Sequence, residues 1–197
     1  QGAKNEARKG LDWVKEHELN TDCFQTHFGI ENLNEATRSE EFQITNGIVS
    51  EVTSKVSNKP IGFFPFHLKI DKEEHKTIVK LKPLDKEILL GFEIIAGLVS
   101  PELKKSYELW KTKNAFQHSH KKEIMAYKTL TESHKQYIPK IWGTAQINDR
   151  EIYAIIMEYL NHKVTHLNSE NNPEIWSVEE KELVVKAMGE IHGDYYN

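Results

Sequence analysis

The most informative residues in the sequence are a lysine and a glutamate, Lys80 and Glu123. Lys80 lies in the alternating segment TIVKLK, which predicts a strand, and Glu123 lies in KKEIMAYKTL, which predicts a helix. On that helix Glu123, Tyr127 and Leu130 have i, i+4, i+7 spacing, so the carboxylate shares a face with residues expected to pack on the sheet. A strand lysine paired with a helix glutamate can hold its ammonium against phosphate oxygens. We therefore expect Glu123 to face Lys80.

The predicted elements ahead of this helix are mostly strands. Evenly spaced apolar residues over 42–56, with a turn at Asn46-Gly47, predict a hairpin. The segments 61–70 and 77–82 are rich in β-branched and aromatic residues and predict two further strands.

Helical patterns follow, and then the strands resume. Ser100 followed by Pro101 is typical of an N-cap and a first helical position. A second helix is predicted over about 116–131, and two more strands over 138–143 and 151–159.

Both ends of the chain carry weaker patterns. Residues 1–40 are polar and predict a peripheral helix, around residues 11–18, followed by loop. The stretch 169–173 predicts a linker. After it, Ser177 and Glu180 have the spacing of a capping box, which begins a helix that ends near residue 193.

The composition indicates a globular chain. Of 197 residues 38% are hydrophobic, and 26 Lys and Arg against 30 Asp and Glu give a formal net charge of −4. This balance offers no large positive field, so we expect neither nucleic acid nor a membrane surface as a partner. The longest apolar segment, 88–99, is too short for a membrane span. The single cysteine, Cys23, cannot form an internal disulfide, which favours a cytoplasmic location.

Five segments in order resemble the aminoglycoside phosphotransferase and choline kinase-like family, a branch of the protein-kinase-like fold. They are IVKLKP, KKEIMAYKTL, YIPKIWG, AIIMEYL and LVVKAMGEIHG, within about residues 42–192. The resemblance implies an α+β fold: a five-stranded antiparallel sheet with a C-helix, then a hinge and the first helix of an α-helical lobe. It divides the chain into an N-terminal helix and loop (1–40), a nucleotide-binding lobe with hinge (41–160), and a linker with that helix (161–197).

The same resemblance implies roles for particular residues. Lys80 would contact the phosphates of ATP, with Glu123 as its helix partner, although Lys82 lies on the same strand face and is the alternative phosphate ligand. The turn near Asn46-Gly47 would cover the phosphates, and the hinge over 157–160 would bind adenine. The nucleotide-binding residues implied beside Lys80 are Gly47, Ser50, Met157, Glu158 and Leu160.

The segment His192-Gly193-Asp194 is similar to the catalytic HGD of that family, but Asn197 follows Asp194 by three residues where the family has five. We therefore interpret His192 as the end of the preceding helix. The catalytic carboxylate and the Mg²⁺ ligands are then expected outside these residues, and we expect no metal site within them.

The function implied is an ATP-dependent phosphotransferase acting on the hydroxyl of a small molecule, with the nucleotide and that acceptor as partners. One alternative is a kinase-like pseudoenzyme that binds a nucleotide or a protein without transfer. A second alternative is an α+β interaction domain with no nucleotide site.

Overall fold

A five-stranded antiparallel sheet organises the part of the chain described by the computed structural model, residues 19–42, 44–113, 117–160 and 176–195. Its strands are β1 Leu33–Arg38, β2 Gly62–Ile70, β3 Glu73–Leu81, β4 Ile141–Ile147 and β5 Ile152–Glu158. They are arranged in the order β1-β2-β3-β5-β4, with every neighbouring pair antiparallel. The predicted α+β class with a five-stranded antiparallel sheet is confirmed.

Six α-helices accompany the sheet in these described ranges. They are α1 Thr21–Phe28, α2 Ile48–Ser57, α3 Asp85–Val99, α4 Pro101–Trp110, α5 Ser119–Thr129 and α6 Val178–Tyr195. Short 3₁₀ turns lie at Lys111–Lys113, His134–Tyr137 and Asn148–Arg150. None of the helices described is both long enough and apolar enough to cross a bilayer.

The alternation of β3 gives the sheet two different faces. Val79 and Leu81 are buried in the main core, together with Phe24 and Phe28 of α1. Lys80 lies between them in the strand and therefore points to the opposite face. That second face is covered by α5, whose Ile124 is fully buried in a smaller apolar cluster.

Two predicted helix starts are confirmed by their capping contacts. Ser100 precedes Pro101 at the start of α4, and its side-chain oxygen accepts a hydrogen bond from the Leu103 amide at 3.1 Å. Before α6, the Ser177 amide donates to Glu180 Oε2 at 2.7 Å, and the Glu180 amide donates to Ser177 Oγ at 3.1 Å. These reciprocal bonds form the predicted capping box.

The hairpin predicted over 42–56 is wrong, because residues 48–57 form the helix α2. The apolar residues Ile48, Val52 and Val56 are four apart, a spacing that fits one face of a helix as well as alternate positions of a strand. The structure selects the helix, whose Thr53 is buried against α3. Gly47 is consequently an N-cap residue rather than part of a hairpin turn.

The interpretation of residues 1–40 as a helix around 11–18 followed by loop is wrong for two segments. Residues 21–28 form the helix α1, and residues 33–38 form β1, which pairs with β2 and places Leu33 and Ala36 in the main core. The sheet therefore begins before residue 41. The predicted helix around 11–18 and the predicted linker 169–173 lie outside the described residues, whereas His192 lies in α6, as interpreted.

Close packing of α2 on α3 gives a prediction about the fold. A Cβ at Gly91 would lie 2.2 Å from Thr53 Oγ1. We expect Gly91→Ala to lower the free energy of unfolding by about 1–3 kcal/mol through overpacking, and Thr53→Ala to restore much of that loss. Gly97→Ala is the matched control, since its Cβ would meet only the flexible side chain of Lys104, 3.3 Å away. Equal effects of the two glycine substitutions in denaturant titrations would contradict this packing.

Candidate functional site

Two lysines and one glutamate form an ion-pair cluster on the second face of the sheet. Lys80 Nζ lies 2.6 Å from Glu123 Oε1, and Lys82 Nζ contacts the other oxygen, Oε2. The Lys80, Glu123 and Lys82 side chains are 26%, 23% and 12% exposed. The expected contact between Lys80 and Glu123 is therefore present, and Lys82 shares the same carboxylate.

Sheet register and the packing of α5 bring the cluster together. Lys80 lies opposite Ile155 of β5, and the Lys82 amide donates to the Tyr153 carbonyl at 2.8 Å. Ile155 and Tyr153 form the smaller apolar cluster with Ile124 of α5. Because Glu123 lies one helical turn before Tyr127, which packs against the same cluster, the packing of α5 also holds the carboxylate beside the lysines.

The charges of the cluster shift the pKa values of its members. Burial by itself raises the pKa of Glu123, but hydrogen bonds and charges from Lys80 and Lys82 outweigh it, so this pKa lies below the ordinary value. Burial lowers the pKa of Lys82, and this effect exceeds the opposing attraction of Glu123. The two ammonium groups share the Glu123 carboxylate, and the nearby Asp85 carboxylate also acts to raise the pKa of Lys82.

Asp85 fixes the start of α5 relative to β3. Its Oδ1 accepts hydrogen bonds from the Ser119 amide at 3.0 Å and from Ser119 Oγ at 2.8 Å, and Oδ2 accepts one from the His118 amide. Asp85 lies three residues after Lys82, whereas Ser119 lies one helical turn before Glu123. The Asp85 carboxylate therefore links the segment that follows β3, which contains Lys82, to the helix that contains Glu123.

Removing the Asp85 carboxylate should destabilise α5 more than the other helices. We expect Asp85→Ala to lower the free energy of unfolding by about 1–2 kcal/mol, the usual range for losing a helix-capping carboxylate. Hydrogen exchange of the α5 amides should accelerate more than that of the α2 amides. Asp149→Ala, at an exposed position, is the matched control and should change neither quantity appreciably. Uniform acceleration over both helices in Asp85→Ala would contradict the positioning role.

The predicted hinge residues lie at and just beyond the end of β5. Met157 pairs with Ile78 and thus lies on the same sheet face as Lys80. The amides of Glu158 and Tyr159 donate to the Lys140 and Lys76 carbonyls at 2.9 and 3.0 Å. Both amides therefore already donate hydrogen bonds to backbone carbonyls of the protein. The next backbone amide along the chain is that of Leu160, whose side chain is half-buried.

Gly47 and Ser50 lie at the start of α2, and Asn46 fixes that start to the sheet. The Phe63 amide donates to Asn46 Oδ1 at 2.7 Å, and Asn46 Nδ2 donates to the Phe63 carbonyl at 3.3 Å. The neighbouring Gly62 has φ +120°, and a Cβ there would lie 2.3 Å from Asn46 Oδ1. Phe63 pairs with Lys80 across the sheet, with its ring centroid 5.4 Å from the Lys80 ammonium. The start of α2 is thus anchored beside the cluster.

Sequence reasoning missed the roles of Asp85 and Asn46. The sequence around each residue indicates only a local role, because Asp85 begins a helix and Asn46 precedes a glycine. Neither pattern predicts the hydrogen-bond partner, which is Ser119 for Asp85 and Phe63 for Asn46. In the part of the chain that the structure describes, no three His, Cys, Asp or Glu side chains come together as metal ligands would.

Comparison of the chain with protein-family models, with curated proteins and with solved structures finds no match. The function is therefore argued from the site itself.

Proposed function

We propose that this chain forms the nucleotide-binding lobe of an ATP-dependent phosphotransferase that acts on the hydroxyl of a small molecule. The observation that carries this proposal is the ion pair between Lys80 of β3 and Glu123 of α5. Kinase-type phosphoryl transfer uses such a pair, because a lysine held by a helix glutamate neutralises charge on the phosphates of the nucleotide.

The phosphates would bind at Lys80. Glu123 orients the Lys80 ammonium, and the second contact, from Lys82, keeps the carboxylate in place. Lys80 is the more exposed of the two lysines and is therefore the one that a phosphate oxygen reaches first. This exposure supports Lys80 as the phosphate ligand and Lys82 as a positioning residue.

Adenine would bind toward the end of β5. Ile78 and Met157 are paired across β3 and β5, two positions from Lys80, or roughly 7 Å along the strand. Both side chains are half-buried and lie on the Lys80 face, so they offer an apolar surface to a planar base. With the Glu158 amide engaged, the backbone at Leu160 would supply hydrogen bonds to the adenine edge.

The start of α2 would take the place of the predicted hairpin turn. Amides in the first turn of a helix attract anions, and Gly47 is the exposed N-cap of this helix. Ser50, in that first turn, would add a hydroxyl. The anchoring of Asn46 to Phe63, the residue paired with Lys80, supports this placement.

In the reaction, the acceptor oxygen attacks the γ-phosphorus of ATP and its proton passes to a base, which in the resembled family is the catalytic carboxylate; the bond from the γ-phosphorus to the oxygen that bridges it to the β-phosphate breaks, and ADP leaves. The contribution of this chain is to hold ATP and to offset negative charge as that bond breaks. Mg²⁺ would supply further charge neutralisation when bound to the phosphates.

The test is calorimetric titration of the chain with Mg-ATP, with ATP alone and with adenosine. One saturable site is expected, with ATP tighter than adenosine by at least about tenfold, because charged hydrogen bonds to a lysine contribute that much. Removing Mg²⁺ should change the ATP affinity only slightly. Absence of saturable binding at millimolar ATP, or equal affinity for adenosine, would contradict the proposal.

A further inference from the structure

A separate pocket opens at the end of the sheet where β3 ends and β5 begins. Its volume is about 280 Å³, close to the lower end of the range for small-molecule sites. Its apolar walls include Ile61, Leu81, Ile152 and Tyr153. Met157 lies at the opposite end of β5, so this pocket is distinct from the proposed adenine site.

The apolar walls of the pocket are held by the sheet. Ile61, Leu81 and Tyr153 are each at most 5% exposed. Gly62, next to Ile61, pairs with Leu81, and the amide of Lys82 donates to the Tyr153 carbonyl at 2.8 Å. Because three segments are joined by backbone hydrogen bonds, the cavity is formed before any ligand arrives, which suits a rigid apolar group.

The rim of the pocket carries more positive than negative charge. Lys59, Lys82 and Arg150 line it together with Glu87 and Glu151. Both carboxylates are already bonded to Lys59, at 2.7 and 2.6 Å. The three cationic and two acidic side chains that line the pocket have a formal charge of +1 together, which a ligand with one negative charge would balance.

Lys82 connects this pocket to the ion-pair cluster. Lys82 lines the pocket, while its ammonium contacts Glu123. An acid seated in the pocket would compete with Glu123 for the Lys82 ammonium, and Glu123 would then be left to Lys80 alone. A ligand in the pocket would in this way change the ion-pair contacts of Glu123 in the cluster.

We propose that this pocket binds a small amphipathic acid, with an apolar body of about one aromatic ring between Ile61 and Tyr153 and a carboxylate or phosphate at the cationic rim. This binding does not depend on the proposed nucleotide site, since neither Lys80 nor Glu123 lines the pocket.

The test is calorimetric titration of the nucleotide-free chain with 4-phenylbutyrate, 4-phenylbutan-1-ol and 4-phenylbutylamine, which share one apolar body. Phenyl phosphate as a fourth probe distinguishes a phosphate from a carboxylate. We expect one saturable site for an acid, with the alcohol and the amine weaker by at least about fivefold. No saturable binding of either acid, or an amine as tight as the acids, would overturn the proposal.

Three variants locate the site. Ile152→Trp fills the pocket and should abolish binding of the acid, whereas Leu183→Trp, on the exposed face of α6, should leave it unchanged. Arg150→Ala, at an exposed position, should weaken binding of the acid by about threefold or more and leave binding of the alcohol unchanged. Circular dichroism checks that each variant is folded, and if Ile152→Trp is not, Arg150→Ala decides. Unchanged affinity in the folded pocket variants would overturn the proposal.

Discussion

Glu123→Ala is expected to lower the free energy of unfolding by about 2–3 kcal/mol at neutral pH, because it leaves two half-buried ammonium groups facing each other without a carboxylate. The figure lies below the cost of breaking a fully buried pair, since all three side chains retain some contact with water. Lys80→Ala should lower the free energy of unfolding by much less, because Lys82 still neutralises the Glu123 carboxylate. Urea titration of the three proteins measures the difference.

Glu132→Ala is the matched control for this substitution. Glu132 also pairs with a lysine, Lys135, but its side chain is 86% exposed. An ion pair in that exposed position should contribute at most about 0.5 kcal/mol to the free energy of unfolding. If Glu123→Ala and Glu132→Ala were equally mild, the cluster would be an ordinary surface ion pair.

The contribution of Glu123 should also depend on pH with a defined sign. Its pKa is lower in the folded protein than in the unfolded chain, so its stabilisation is complete above the unfolded value, about 4.3. It is lost as the pH falls from that value through the folded pKa. The stability difference between wild type and Glu123→Gln should therefore be constant from pH 7 to about pH 5.5 and shrink in more acidic solution. A difference that stays the same at pH 3.5 would contradict this.

Lys80→Ala is expected to weaken ATP binding by about 10- to 100-fold, the value of one or two hydrogen bonds between a charged donor and a phosphate oxygen. Lys82→Ala should weaken it by less than about threefold, because this more deeply buried lysine acts through Glu123 rather than on the phosphate. Calorimetry with Mg-ATP measures both effects.

Lys69→Ala, which removes an exposed lysine of β2, is the control for general loss of positive charge. Its ATP affinity should equal that of the wild type at physiological salt. The reverse ranking, with Lys82→Ala the more damaging variant, would assign the phosphate contact to Lys82. Equal losses in all three variants would indicate non-specific attraction.

The elements with regular patterns could be predicted from the sequence. The aromatic, β-prone composition of 61–70 predicts β2, the alternation in 77–82 predicts β3, and the Ser100-Pro101 pair predicts the start of α4, because these signals depend only on near neighbours. The order of a strand lysine and a helix glutamate was enough to predict the contact between Lys80 and Glu123. That contact follows from topology and needs no exact boundary.

The failures came from segments whose local pattern was ambiguous or weak. Apolar residues four apart in 48–57 fit a strand and a helix equally. The contact that helps to favour the helix, between Thr53 and Gly91, joins residues far apart in sequence and cannot be read from the local pattern. The strand β1 has only Leu33 and Ala36 as apolar residues, too few to stand out. The helix α3 was not predicted, because 88–99 was considered only as a possible membrane span.

The site also contains contacts that no single segment reveals. Asp85 and Ser119 are 34 residues apart in sequence, and Asn46 and Phe63 are 17 apart. Each is an ordinary polar residue in its own segment, and only the packing of the helices on the sheet brings the partners together. The pocket at the end of β3 likewise depends on three separate segments.

The most direct measurement is a crystal structure of the chain with a non-hydrolysable ATP analogue. The expected result is a phosphate oxygen within hydrogen-bond distance of Lys80 Nζ, with Glu123 still bound to that ammonium and adenine against Met157 and Leu160. An analogue bound elsewhere, or none bound at a saturating concentration, would contradict the assignment of this fold as a nucleotide-binding lobe.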